Sequence, residues 1–129
     1  MSGKVVHFEV PFEDGARARA FYRDAFGWQV NEMPQMDYTI VATGPTAETG
    51  MPAEPGFVNG GMYQRTDQYP AGPVITIDVA SIDDALRTIE SLGGATVVGK
   101  LPVGEMGYAA YFRDSEGNVL GLWETTPPS

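Results

Sequence analysis

The chain holds a single histidine and no cysteine, so its acid–base or metal chemistry has few places to start. His7 lies in an alternating run, Val5 to Val10, that also contains Glu9. Successive side chains of a strand point to opposite faces, so His7 and Glu9 share one. A neutral imidazole both donates and accepts, and a carboxylate takes protons, so either is a candidate general base that needs no metal. The plainer role for a lone strand histidine is a hydrogen-bonded wall residue. Other chemistries are poorly served. No thiolate nucleophile or cysteine metal site exists. No serine sits in a G-x-S-x-G elbow, and one histidine makes a Ser-His-acid triad improbable. Gly60-Gly61 and Gly93-Gly94 lack the G-x-G-x-x-G pattern of dinucleotide sites.

The elements that must position His7 and Glu9 form a repeated plan. His7 to Gly27 and Val74 to Gly94 each read as alternating strand, polar turn, amphipathic helix and glycine stop. In the first helix Asp14 serves as N-cap, and Ala16, Ala20, Phe21 and Ala25 form the expected apolar stripe, ending at Gly27. In the second, Ser81 caps with Asp84 three residues on. Ile82, Ala85, Leu86, Ile89 and Leu92 follow helical spacing up to Gly93-Gly94. Each helix has one apolar face and must lie on a sheet. Strands are expected at Trp28 to Met33, Tyr38 to Thr43, Phe57 to Tyr63, Thr96 to Leu101, Tyr108 to Arg113 and Val119 to Glu124. Turn-rich segments separate them: Gly44 to Gly56, a hairpin turn at Asp114 to Gly117, and a linker between modules at Thr66 to Pro73. The expectation is an α+β fold of two βαβββ modules, about 4–65 and 73–125, within one domain spanning 1–129.

Length and composition agree with this. A chain of 129 residues with 43% hydrophobic and 19% charged residues can bury a core without disulfides. The net charge of −9 argues against nucleic acid, whose phosphates are bound by basic surfaces. No apolar run reaches the ~18 residues of a membrane helix, and the opening residues lack a signal-peptide core. A cytoplasmic protein without membrane contact is expected.

Two segments resemble a known family. The opening HFEVPFEDGARARAFYRDAFGW and the closing RDSEGNVLGLWE are similar to the first strand and helix and the last hairpin of the glyoxalase/bleomycin-resistance family, within the vicinal oxygen chelate superfamily. Ser115 stands where the family's turn commonly has proline. The resemblance implies a curved mixed sheet around a concave cavity, commonly completed by a homodimer. It also implies, in the superfamily's metalloenzymes, a divalent ion held at four strand positions. Carried over, these fall on His7, Val74, Gly60 and Gly121, three of which have no donor atom. A His7–Glu9 pair is too sparse a ligand set, since protein metal sites usually take three or more side-chain donors. No metal and no cofactor are therefore expected.

By strand parity, the face of His7 and Glu9 is expected to continue through Met62, Thr76, Gly121 and Trp123. If Asp114 to Gly117 is a four-residue turn, Tyr108 and Phe112 join it; a slip of one residue puts Ala109 and Tyr111 there instead. Glu124 has the opposite parity. The expected ligand-binding set is His7, Glu9, Met62, Thr76, Tyr108, Phe112, Gly121 and Trp123, with His7 and Glu9 the catalytic candidates. The leading functional expectation is sequestration of a largely aromatic small molecule, an antibiotic among the candidates, of the bleomycin-resistance type. The alternatives are a glyoxalase-like metal-dependent lyase or isomerase, and a metal-free enzyme with His7 or Glu9 as base.

Overall fold

The computed structural model describes residues 3–66 and 72–126. The expected linker lies mostly at 67–71, outside the described residues. The chain separates into two compact units, His7–Pro73 and Val74–Ser129, the latter joined by Met1–Val6.

In the first unit, β1 (Val5–Phe12), α1 (Gly15–Phe26), β2 (Gln29–Met33), a 3-10 turn (Pro34–Met36), β3 (Tyr38–Ala42) and β4 (Gly60–Gln64) follow one another. The strands pair in the order β2-β3-β4-β1. β1 and β4 are parallel, and the other two pairs are antiparallel. Asp14 caps α1 by accepting from the Arg17 N–H, and Gly27 closes it with a left-handed backbone (φ 74°) that only glycine adopts without strain. The docking face of α1 differs from the expected stripe. Phe21 is 59% exposed, and Tyr22 packs inward, stacked on Trp28 at 4.8 Å between ring centroids. Arg19 reaches Thr39 Oγ1 at 3.3 Å and Glu32 at 3.6 Å. The aromatic anchor and the arginine rotate the helix one residue from the alanine stripe, because alanines bury too little area to set the docking angle. β4 begins at Gly60 rather than Phe57. Val58 and Asn59 are engaged otherwise: the Thr43 hydroxyl donates to the Val58 carbonyl, and the Thr43 N–H donates to Asn59 Oδ1.

In the second unit, β5 (Val74–Asp78), α2 (Ile82–Ser91), β6 (Ala95–Val103), β7 (Gly107–Arg113) and β8 (Val119–Thr125) pair in the order β5-β8-β7-β6. β5 and β8 are parallel, the rest antiparallel. Ser81 caps α2 by accepting from the Asp84 N–H. Ile82, Val79, Ala110, Phe112 and Leu122 form the core under the helix, with Ala85, Leu86 and Ile89 against it. Leu92, expected on this stripe, is the C-cap residue and is exposed. Each unit is thus a four-stranded mixed sheet with a helix on one face, the α+β class expected. Among the described residues, no helix is long and apolar enough to cross a membrane.

Candidate functional site

The first unit gathers its polar chemistry on the sheet face away from α1. The β1–β4 register sets Glu9 opposite Gly61, and Phe8 and Val10 opposite Gly60 and Met62. The β3–β4 register sets Ile40 opposite Gly61, so Tyr38, two residues earlier, shares the face of Glu9. The Tyr38 hydroxyl donates to Glu9 Oε2 at 2.8 Å and lies 3.0 Å from His7 Nε2. Glu9 is 7% exposed. Burial pulls the His7 pKa below its usual value, and the Glu9 charge offsets this only in part. His7 is therefore neutral at physiological pH.

Gly61 makes this cluster possible. A Cβ built there would fall 1.9 Å from the Tyr38 hydroxyl oxygen, so the phenol occupies the space a side chain would need. Gly60, by contrast, faces the helix side, where its Cβ would collide with the Phe8 ring and carbonyl. The family-derived strand position is therefore corrected from Gly60 to Gly61. Met62 is corrected as well. It is fully buried beside Val41 and Thr39 on the helix side, not on the face of His7 and Glu9. The slip in parity follows from the one-residue shift at Gly60-Gly61. Tyr38 was missed by sequence reasoning. The available signal was an aromatic residue starting a strand that had to pair beside a glycine, but the Gly44–Gly56 loop concealed the register.

The second unit has a parallel arrangement. Thr76 faces Gly121, and a Cβ on Gly121 would lie 2.7 Å from the Thr76 hydroxyl. Trp123 stands opposite Ala109, and Tyr111 opposite Gly121. Thr76, Gly121, Trp123, Tyr111 and Ala109 therefore share the face away from α2. Tyr108 and Phe112, expected there, lie on the helix side, Phe112 in the core and Tyr108 against it. The turn explains the correction. Gly117 takes a left-handed backbone (φ 89°), the Asp114 N–H donates to the Asn118 carbonyl, and Arg113 pairs with Val119 rather than Asn118. The glycine bulge consumes one residue more than a four-residue turn and reverses the parity of β7. The carboxylate of Asp114 accepts from the Glu116 and Asn118 N–H groups, bonds that hold its pKa below the usual value. The Trp123 indole is half-buried and donates to Thr125 Oγ1 at 3.0 Å. Glu124 points to the helix side, accepting from the Ile82 N–H.

The donors do not fit the divalent ion of the superfamily's metalloenzymes. The strand positions opposite Glu9 and Thr76 are glycines, and the Tyr38 hydroxyl lies against both His7 and Glu9. Among the described residues, no three His, Asp or Glu side chains group closely enough to hold a metal. A separate open cleft of about 400 Å³ lies by α1, lined by Val10, Phe12, Arg17, Phe21, Tyr22 and Arg65 among others. It shares no lining residue with the cluster.

Comparison with known proteins agrees with the resemblance read from the two end segments. Residues 4–44 match the family model for bleomycin resistance protein-like N-terminal segments. A glyoxylase-like domain-containing protein of Didymella fabae is 25% identical over 126 residues, covering 95% of this chain and 94% of that one. Among solved structures, Streptomyces coelicolor methylmalonyl-CoA epimerase in complex with 2-nitronate-propionyl-CoA is 15% identical with a TM-score of 0.67, covering 98% of this chain and 100% of that chain. A hypothetical protein from Bacillus halodurans C-125 is 14% identical with a TM-score of 0.65, covering 100% of this chain and 99% of that chain. At such identities, the structural likeness shows the fold, which is that of the glyoxalase/bleomycin-resistance family.

Proposed function

On this glyoxalase/bleomycin-resistance fold, we propose that the protein binds and sequesters a largely aromatic small molecule without a metal, in the manner of a resistance protein. The carrying observation is the helix-free face of the second unit. Trp123 and Tyr111 flank Gly121, a position with no side chain, and both aromatic residues are only partly buried. Stacking on such rings adds about 0.5–1.5 kcal/mol beyond area burial. The bleomycin resistance-like match of residues 4–44 points the same way.

A second reading is a metal-free enzyme that uses Glu9 as base, its carboxylate oriented by the 2.8 Å bond from Tyr38. Loss of a large aromatic anchor costs about 2 kcal/mol or more. Trp123→Ala should therefore weaken binding of an aromatic ligand by about 30-fold, measured by calorimetry on protein shown by circular dichroism to be folded. Unchanged binding by folded Trp123→Ala refutes the sequestration reading as placed here. Turnover of a bound ligand that vanishes in Glu9→Gln, with affinity retained, selects the enzyme.

A further inference from the structure

Thr76 sits at the centre of β5 and is 7% exposed. Buried hydroxyls in folded proteins nearly always have a hydrogen-bond partner. Among the described residues no hydrogen bond reaches the Thr76 hydroxyl, and its oxygen keeps an opening to solvent. Its direction is set. A Cβ built on Gly121 would lie 2.7 Å from Thr76 Oγ1 but 3.6 Å from the Thr76 methyl, so the hydroxyl leans over the glycine. Threonine is stiff at χ1, which holds it there. Trp123, two residues on from Gly121, is held as firmly. A Cβ on Gly107 would lie 2.6 Å from its Cζ2, so the indole rests over Gly107, and its N–H goes to Thr125 Oγ1 at 3.0 Å. The indole thus presents its ring face to a ligand, and Thr76 presents a hydrogen bond. Residues two apart on a strand are separated by roughly 7 Å, the span of one ring carrying an oxygen on its edge.

We propose that Thr76 is the specificity-determining residue of this face, its hydroxyl donating to a neutral carbonyl oxygen on the edge of a ligand whose ring stacks on Trp123. This rests on the reading of the second unit as an aromatic binder and adds the polar group that the ligand carries. A threonine hydroxyl brings one proton and no charge. A carbonyl takes that proton without adding a charge, whereas a carboxylate would bring a second anion to the face that carries Asp78, in register with Trp123. A ligand without the oxygen would displace the water that serves Thr76 and leave a covered, unpaired hydroxyl. Discrimination therefore comes from rejecting the hydrocarbon as much as from attracting the ketone.

The test uses the full chain and three probes of one shape: 2-acetonaphthone, its hydrocarbon isostere 2-isopropenylnaphthalene up to its solubility, and 2-naphthoate. Binding is followed by two-dimensional NMR and stability by thermal melts without ligand. The expected result is a ketone about tenfold tighter than either other probe. In Thr76→Val the ketone should fall to the level of the hydrocarbon, and Thr76→Ser should restore part of the preference. The melting temperature of Thr76→Val should not drop, because the hydroxyl it removes has no partner in the fold. Trp123→Ala should weaken ketone and hydrocarbon alike. Should Thr76→Val fail to fold, Thr76→Ala takes its place. A preference that survives loss of the hydroxyl, or naphthoate binding tighter than the ketone, overturns the proposal. Equal binding of ketone and hydrocarbon overturns it too, while sequestration stands. If no probe binds, both the proposal and the sequestration reading fail.

Discussion

Removing Glu124 should destabilise the second unit without touching ligand binding. The Glu124 carboxylate accepts from the Ile82 N–H at 2.8 Å, one of the amides that the first turn of α2 leaves without an intrahelical partner. Ser81 serves a different amide, that of Asp84. Hydrogen bonds to charged groups are worth about 1.5–3 kcal/mol, and helix caps typically about 1 kcal/mol. The Lys100 ammonium lies 3.5 Å from Glu124, but Lys100 also approaches Asp83 at 3.8 Å and the Tyr108 ring at 4.4 Å. Its partly exposed pair with Glu124 adds no more than about 0.5 kcal/mol. The sum for Glu124→Ala is about 2 kcal/mol, or about 8 °C in Tm for a chain of this size. Glu124→Gln keeps an acceptor and should lose about half as much. Urea denaturation followed by circular dichroism measures both, with the m-value unchanged. Because Glu124 lies on the helix side, aromatic ligand affinity should stay within twofold in either variant. A loss below about 0.5 kcal/mol in Glu124→Ala, or a tenfold loss of affinity, would refute the assignment.

Further outcomes are expected. The folded-state pKa of His7 is depressed, so below about pH 6.5 the unfolded chain binds a proton that the folded chain resists. Stability should therefore fall as pH drops from 6.5 toward the depressed folded value, and His7→Gln should flatten that slope in urea melts; a slope retained in the variant locates the titration elsewhere. The Asp114 pKa is also depressed, so its contribution is present above about 3.8 and lost on acidification below it. Asp114→Ala should lower Tm near neutral pH and lose part of the acid sensitivity that the parent shows. We also propose a homodimer, the two-fold pair being the commonest closed assembly of soluble oligomers; a monomer by light scattering at tens of micromolar contradicts it.

Local chemistry was legible in the sequence because it depends on neighbours along the chain. Asp14, Gly27 and Ser81 punctuate the helices through bonds spanning three or four residues, and the pairing of His7 with Glu9 on one face needs only the period of a strand. The resemblance of the two end segments identified the fold for the same reason: both are local strand–helix and hairpin patterns. Tertiary structure alone decided which residues meet across strands. Register has a period of two, so one unforeseen residue inverts a face. The bulge at Gly117 turned Phe112 into the core and Tyr108 against it, and brought Tyr111 beside Gly121. The long Gly44–Gly56 loop left the β3–β4 pairing open until the fold placed Gly61 beneath Tyr38. That contact joins residues 23 positions apart and depends on the absence of a side chain, a feature that composition and periodicity do not register. The His7–Tyr38–Glu9 cluster thus had two members readable from the strand pattern, while its third, whose hydroxyl orders the other two, was supplied by packing.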